Sequence, residues 1–217
     1  MSLKKQFGLL SFLIIVLLAP CFDLCSQSFN KDRWSVEGSF ASGKITKPDA
    51  HVIAILKDGT CREYNLRVGY VDTDTSAFAA AYNYPTFGLG FSMADFSDVK
   101  MHSGSGLGNI YALYGFMETS LIRYKKLRLA HLFSIGLSYN TDTYDPVHNR
   151  DKIFSSFPIM VYVGMDGRLK YQINNQWEIG IGVNVRHYSN GRLGIMNKGI
   201  NILGGDASQS CSEDLFY

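Results

Sequence analysis

The chain has 217 residues, which suits one domain, and a formal charge of +2 that argues neither for nucleic acid nor for any other strongly acidic partner. Charged residues make up only 18%, while there are 13 Tyr, 14 Phe and 21 Gly. Few charges with abundant aromatics and glycine, and no long apolar run after the first segment, suit a membrane barrel better than a helical bundle.

The first segment reads as an export signal. Lys4 and Lys5 form a basic region, and Phe7 to Ala19 is a nearly continuous apolar run followed by Pro20 and Cys21. That run is short for a transmembrane helix and typical of a secretory signal. Cleavage after Ser26 makes residues 1–26 the signal peptide and 27–217 the mature domain. A lipoprotein signal is the competing reading, with Leu18-Ala19-Pro20-Cys21 as its lipobox, and Pro20 fits that pattern poorly. Removal of 1–26 takes Cys21 and Cys25 with it. Cys61 and Cys211 remain, an even pair that an exported protein can oxidise or leave apart. No Cys/His spacing matches a zinc site, and no cofactor is expected.

Beyond residue 27 the recurring pattern is alternation with period two, which predicts strands. Roughly eight such segments follow in order: 34–43, 61–72, 86–96, 108–118, 127–139, 157–172, 176–189 and 199–205. The first four are less regular, and Ser76 to Pro85 reads as an extension of the second or third. In the fifth, Leu129, Phe133, Ile135 and Leu137 share a face. In the sixth, Ile159, Val161, Val163 and Met165 oppose Tyr162, Gly164, Asp166 and Arg168. In the seventh, Trp177, Ile179, Ile181, Val183 and Val185 oppose Glu178, Gly180, Gly182, Asn184 and Arg186. Asn174-Asn175 is a tight turn and implies an antiparallel hairpin. Connections at 123–126 and 173–175 are short, whereas 44–60, 97–107 and 140–156 are long. This asymmetry predicts an all-β, eight-stranded antiparallel transmembrane β-barrel of the outer membrane, with short periplasmic turns and long outer loops. A soluble lipocalin-like barrel is the alternative, and it would place its apolar face inside. At the C-terminus, Gly204 to Cys211 does not alternate like a membrane strand, so the eighth strand is expected to be short, atypical or truncated.

With both termini on the periplasmic side, the seventh strand ends at the outer surface. His187 and Ser189 continue its lipid-facing register. Residues i and i+2 on a strand share a face, so His187 is a candidate base for the Ser189 hydroxyl, itself a weak nucleophile without one. The Asn190 side chain and the backbone N–H groups of Asn190 and Gly191 are candidate oxyanion donors, and Gly191 permits close backbone approach. His-x-Ser also occurs by chance, and the bland reading is a structural pair at a strand end.

The run His187-Tyr188-Ser189-Asn190-Gly191, followed by Asn197-Lys198-Gly199-Ile200-Asn201, resembles the lipid A 3-O-deacylase (PagL, acyloxyacyl hydrolase) family. Tyr84-Pro85 with Gly88-Leu89-Gly90, and Gly136-Leu137-Ser138-Tyr139, extend the similarity over 60–201. The resemblance implies an eight-stranded outer-membrane barrel that hydrolyses the ester-linked acyl chain at the 3-position of lipid A without a metal. Its partner would be lipid A or lipopolysaccharide in the outer leaflet. His187 would be the base, Ser189 the nucleophile and Asn190 an oxyanion contributor. The third catalytic position is a departure, since the best-studied family members carry glutamate where this chain has Asn201. A neutral amide holds a histidine tautomer but does not stabilise imidazolium by charge. Asp206 replaces it only if the last strand is displaced. A non-catalytic structural or binding barrel that keeps the motif is therefore the second reading.

Other candidates have plainer explanations. His131 lies on the apolar face of its strand and reads as an interfacial or packing histidine, and His102 and His148 lie in predicted outer loops. Gly104-Ser105-Gly106-Leu107-Gly108 lacks a phosphate-loop Lys-Ser/Thr and reads as a loop. Trp34, Tyr139 and Trp177 fit interfacial girdles. Lys125, Lys126 and Arg128 read as a solvated turn, though basic groups near a membrane also meet lipid phosphates.

Overall fold

The computed structural model describes residues 34–46, 56, 59–71, 77–101, 106–148, 150, 152–194 and 196–212. The predicted signal peptide, His102, most of the 44–60 loop and the last residues lie outside them. Among the described residues there are eight strands: β1 Trp34–Ile45, β2 Cys61–Val71, β3 Thr86–Asp95, β4 Asn109–Tyr124, β5 Leu127–Asn140, β6 Ile159–Gln172, β7 Trp177–Ser189 and β8 Ile200–Ser212. Each pairs antiparallel with the next, and β1 pairs with β8, so the sheet closes. Closure leaves no edge with unpaired N–H and C=O groups, the condition for crossing hydrocarbon as a sheet.

The side-chain faces identify the solvent on each side. Outward residues are apolar and exposed, as in Ile181 (66%), Val183 (66%) and Leu89 (67%). Inward residues at mid-barrel are charged and buried, with Arg67, Arg168 and Arg186 each 1% exposed. A soluble barrel inverts this arrangement, so the lipocalin-like alternative is excluded and the fold is a transmembrane barrel. The buried charges are mutually paired. Glu37 takes Arg67 and Arg168 at 2.6 Å each and Lys170 at 2.7 Å. Asp166 pairs with Arg168 at 2.7 Å and with Arg186. Glu118 takes Lys170 at 2.8 Å and Arg128 at 2.7 Å. Above this ionic layer Phe96, Ile110, Phe154, Met160, Tyr188 and Ile200 belong to an apolar cluster at the outer end. The interior is filled by side chains, as eight strands require.

Three sequence expectations need correction. β4 continues to Tyr124, past the expected residue 118, because a bulge between Ser120 and Ile122 shifts its register. Beyond the bulge the outward face moves from odd to even positions, so alternation read in one phase stops early. β8 runs to Ser212 rather than ending near 205. Its outward row is Leu203, Gly205, Ala207 and Gln209 and its inward row is Asp206, Ser208, Ser210 and Ser212. Small outward residues erase the hydrophobic alternation, while β1 and β7 supply hydrogen-bonding partners on both edges. At ~3.3 Å per residue the strand is long enough to span. The third correction is the stretch before Pro85, where a short helix, α1, occupies Ala77–Ala81 instead of extending a strand. Alanine-rich sequence favours helix. α1 closes in a Schellman arrangement, with Asn83 at φ 59°, Asn83 N–H to Ala80 O at 3.2 Å and Tyr84 N–H to Ala79 O at 2.7 Å.

Cys61 is a buried free thiol. It pairs with Gly43 at the outer end of β1, while Cys211 pairs with Val36 near the other end, so the two do not form a disulfide.

Candidate functional site

β1, β3, β5 and β7 finish at one end of the barrel, and the short turns 125–126 and 173–176 lie at the other. His187 and Ser189 sit on the outer wall at the long-loop end, both half-buried, in the row that continues Val183 and Val185. Val163 and Val161 on β6 are their cross-strand partners, so the pair borders an apolar wall.

Strand register brings Asn201 to His187. The two are direct partners across β7 and β8, and His187 Nδ1 lies 2.7 Å from Asn201 Oδ1. An amide oxygen only accepts, so Nδ1 carries the proton and Nε2 presents its lone pair. Backbone pairing also holds Asn201, whose carbonyl accepts Thr46 N–H at 2.8 Å. Asp206 does not reach this position. It pairs with Gly182, faces the barrel interior and lies 2.9 Å from Arg168 Nε.

The 190–199 loop completes the site. Asn190 begins a tight turn in which its side-chain Oδ1 accepts Arg192 N–H and its carbonyl accepts Leu193 N–H, both at 3.0 Å. Gly191 (φ 60°) and Arg192 (φ 65°) are both left-handed, as in a type I′ turn. Backbone conformation is therefore the reason for Gly191; a Cβ there would meet nothing within 4 Å, so close approach is not. The loop leans on the 153–156 segment through Ser156 N–H to Met196 O at 3.0 Å and Gly199 N–H to Phe154 O at 3.2 Å.

Ser189 Oγ donates to Asn197 Oδ1 at 3.1 Å and accepts Gly191 N–H at 3.3 Å. Among the described residues no hydrogen bond joins Ser189 to His187, although both share one face. Asn197 Oδ1 also accepts Asn190 N–H at 3.1 Å. Asn190 itself is turned inward and 1% exposed, with Nδ2 donated to Met196 O at 3.1 Å. Both of the donors expected from Asn190 are thus engaged in bracing the loop, while Gly191 N–H points at the serine oxygen.

Two residues of the site had no assigned role in the sequence reading. Asn197 is one. Gly199 is the other: at φ 66°, a Cβ on it would lie 3.3 Å from His187 Cε1 and 3.1 Å from Tyr188 O. The spacing Asn197-x-Gly199-x-Asn201 was the available signal, but only the fold shows that the first touches the serine and the second backs the imidazole. His131 lies elsewhere on the wall, opposite Thr119 and Gly167. His148 is in an exposed loop, 3.3 Å from Asp145. Among the described residues no three His, Cys, Asp or Glu side chains converge in a way that would hold a metal.

The sequence profile of the family described as lipid A 3-O-deacylase (PagL) matches residues 64–208. Among solved structures, the crystal structure of the outer membrane enzyme PagL superposes with a TM-score of 0.52 at 16% identity, covering 79% of this chain and 97% of that one. The crystal structure of Neisserial surface protein A gives 0.49 at 10% identity, covering 83% and 97%. At these identities the structural likeness concerns the fold alone. Comparison with curated protein sequences finds no match. The family match spans the barrel from β2 into β8 and contains every site residue described above, so the chain belongs to the lipid A 3-O-deacylase (PagL) family.

Proposed function

We infer that the protein is an outer-membrane esterase, exported by a signal peptide, that removes the ester-linked 3-position acyl chain of lipid A. The observation that carries this reading is the His187 Nδ1–Asn201 Oδ1 contact of 2.7 Å on the lipid-facing wall, which leaves Nε2 as a base two residues from a serine. A lipid A ester in the outer leaflet reaches this wall without leaving the membrane. Ser189 Oγ attacks the acyl carbonyl as its proton passes to His187 Nε2. Gly191 N–H, which donates to Ser189 Oγ at 3.3 Å, is the backbone donor beside the nucleophile and is assigned to the developing oxyanion. His187 then returns the proton to the sugar oxygen that leaves, and water hydrolyses the acyl-serine by the same route. No cofactor enters the scheme. For the first step the Ser189 hydroxyl rotates from Asn197 toward His187, a change that substrate binding drives, since catalytic hydrogen bonds are often loose without substrate.

The test is Ser189→Ala, read by mass spectrometry of lipid A. Release of a 3-hydroxy fatty acid is expected to vanish while the barrel remains folded, and persistent release would refute the assignment. The second reading is a non-catalytic barrel. Its supporting observations are the neutral Asn201 and the engagement of Ser189 by Asn197. It predicts identical lipid A profiles with and without the wild-type protein.

A further inference from the structure

The end of the barrel opposite His187 and Ser189 holds a cleft that the proposed chemistry does not use. The β4–β5 turn, Tyr124 to Leu127, overhangs it, with Lys125 at φ 54°. Arg123, Lys125, Lys126 and Gln172 line it, together with Glu118, Glu178 and Arg128. The acids are already paired: Glu118 with Arg128 at 2.7 Å and Lys170 at 2.8 Å, and Glu178 with Arg128 at 2.6 Å.

The cations beside them are arranged differently. Arg123 is the direct cross-strand partner of Arg128, and among the described residues it has no carboxylate partner. Like charges placed opposite on antiparallel strands destabilise each other. Lys126 Nζ donates to a carbonyl, Ile173 O, at 3.3 Å, and Lys125 Nζ lies 5.4 Å from the Tyr124 ring. Gln172 is only 9% exposed, and its Nε2 has no hydrogen-bond partner among the described residues. Among the described residues the groups in the cleft without a carboxylate partner are therefore donors: the Arg123 guanidinium, two ammoniums and a buried amide N–H. A solvated basic turn accounts for exposed lysines. It does not account for two facing arginines or for a buried unpaired amide. Both call for an anion with several acceptor oxygens, and the guanidinium fork suits phosphate geometry. Tyr124 (65% exposed) and Tyr171 (44% exposed) stand on the outer wall at this level, where aromatic girdles mark headgroup depth.

We propose that this cleft binds a phosphate-bearing anion, held by Arg123, Lys125, Lys126 and the Gln172 amide, and that its ligand is the headgroup of an anionic phospholipid in the inner leaflet. The site is independent of the esterase reading, because it shares no residue with it and lies at the other end of the barrel.

The experiment uses the folded full-length protein in a maltoside detergent, titrated separately with short-chain phosphatidylglycerol and with inorganic phosphate. Saturable one-to-one lipid binding is expected. The variant R123Q/K125Q/K126Q is expected to bind about a hundredfold more weakly, at roughly fivefold per charge removed. Gln172→Leu, which keeps side-chain volume and all charges, is expected to weaken binding severalfold and carries the test if the triple variant fails to fold. Saturable phosphate binding without lipid binding supports the site and assigns it a soluble phosphorylated ligand. Absence of saturable binding of both probes, or wild-type lipid affinity in the folded variants, overturns the proposal.

Discussion

Asn201 is the position at which the proposed catalytic group departs from a charged triad, and replacing it by glutamate tests the role proposed for His187. The amide oxygen lies 2.7 Å from Nδ1 and orients the ring without charge. A carboxylate there keeps the acceptor and adds a negative charge about 4 Å from the centre of the imidazolium that the proposed reaction forms. Coulombic attraction at that distance is about 1 kcal/mol in water and about 4 kcal/mol at an effective dielectric near 20. His187 is half-buried on an open wall, so a value near the lower end applies. About 1.4 kcal/mol corresponds to a tenfold gain in kcat. Asn201→Ala is expected to move the other way, losing roughly a hundredfold as the ring tautomer is no longer held. The assay is release of 3-hydroxy fatty acid from lipid A in detergent. If both variants keep the wild-type rate, Asn201 does not orient the base and the proposed chemistry is wrong.

Other substitutions probe separate links. Gly199→Ala forces a side chain into a left-handed backbone at φ 66° against His187 Cε1, and is expected to cost about 1–2 kcal/mol locally and to lower activity more than global stability. Hydrogen exchange over 190–199 beside the activity assay separates the two effects. Glu37→Ala leaves Arg67, Arg168 and Lys170 short of one shared carboxylate, with an expected loss of roughly 3 kcal/mol in urea unfolding from lipid vesicles. Val183→Arg, at the middle of the outward row of β7, is expected to cost about 2–4 kcal/mol in the same measurement. Refolding yields unchanged by it would contradict a lipid-facing wall.

The regular half of the barrel was legible in advance. From Leu127 to Ser189 one face of each strand is apolar and the other small or charged, and period two with that contrast has few other solutions. The same register put His187 and Ser189 on the outer wall. Where the contrast fades, the reading failed. β8 carries Gly205, Ala207 and Gln209 outward, and its existence depends on β1 and β7 lying on either side. The end of β4 depends on a bulge, which leaves no mark in composition.

The site divides along the same line. The local chain by itself determined the shared face of His187 and Ser189, because it depends on neighbours within a few residues. Only tertiary structure decided which atoms those residues touch. Asn201 meets His187 because β8 returns in one particular register, and a shift by a single residue would turn its side chain to the interior. Asn197 captures the serine and Gly199 backs the imidazole because the 153–156 segment holds their loop in place. Asp206, an acid near enough in sequence to be a substitute, is removed from the site because even positions on β8 face the ionic core. Distances between strands are set by hydrogen-bond registry and closure of the whole sheet, and no short stretch of sequence contains that information.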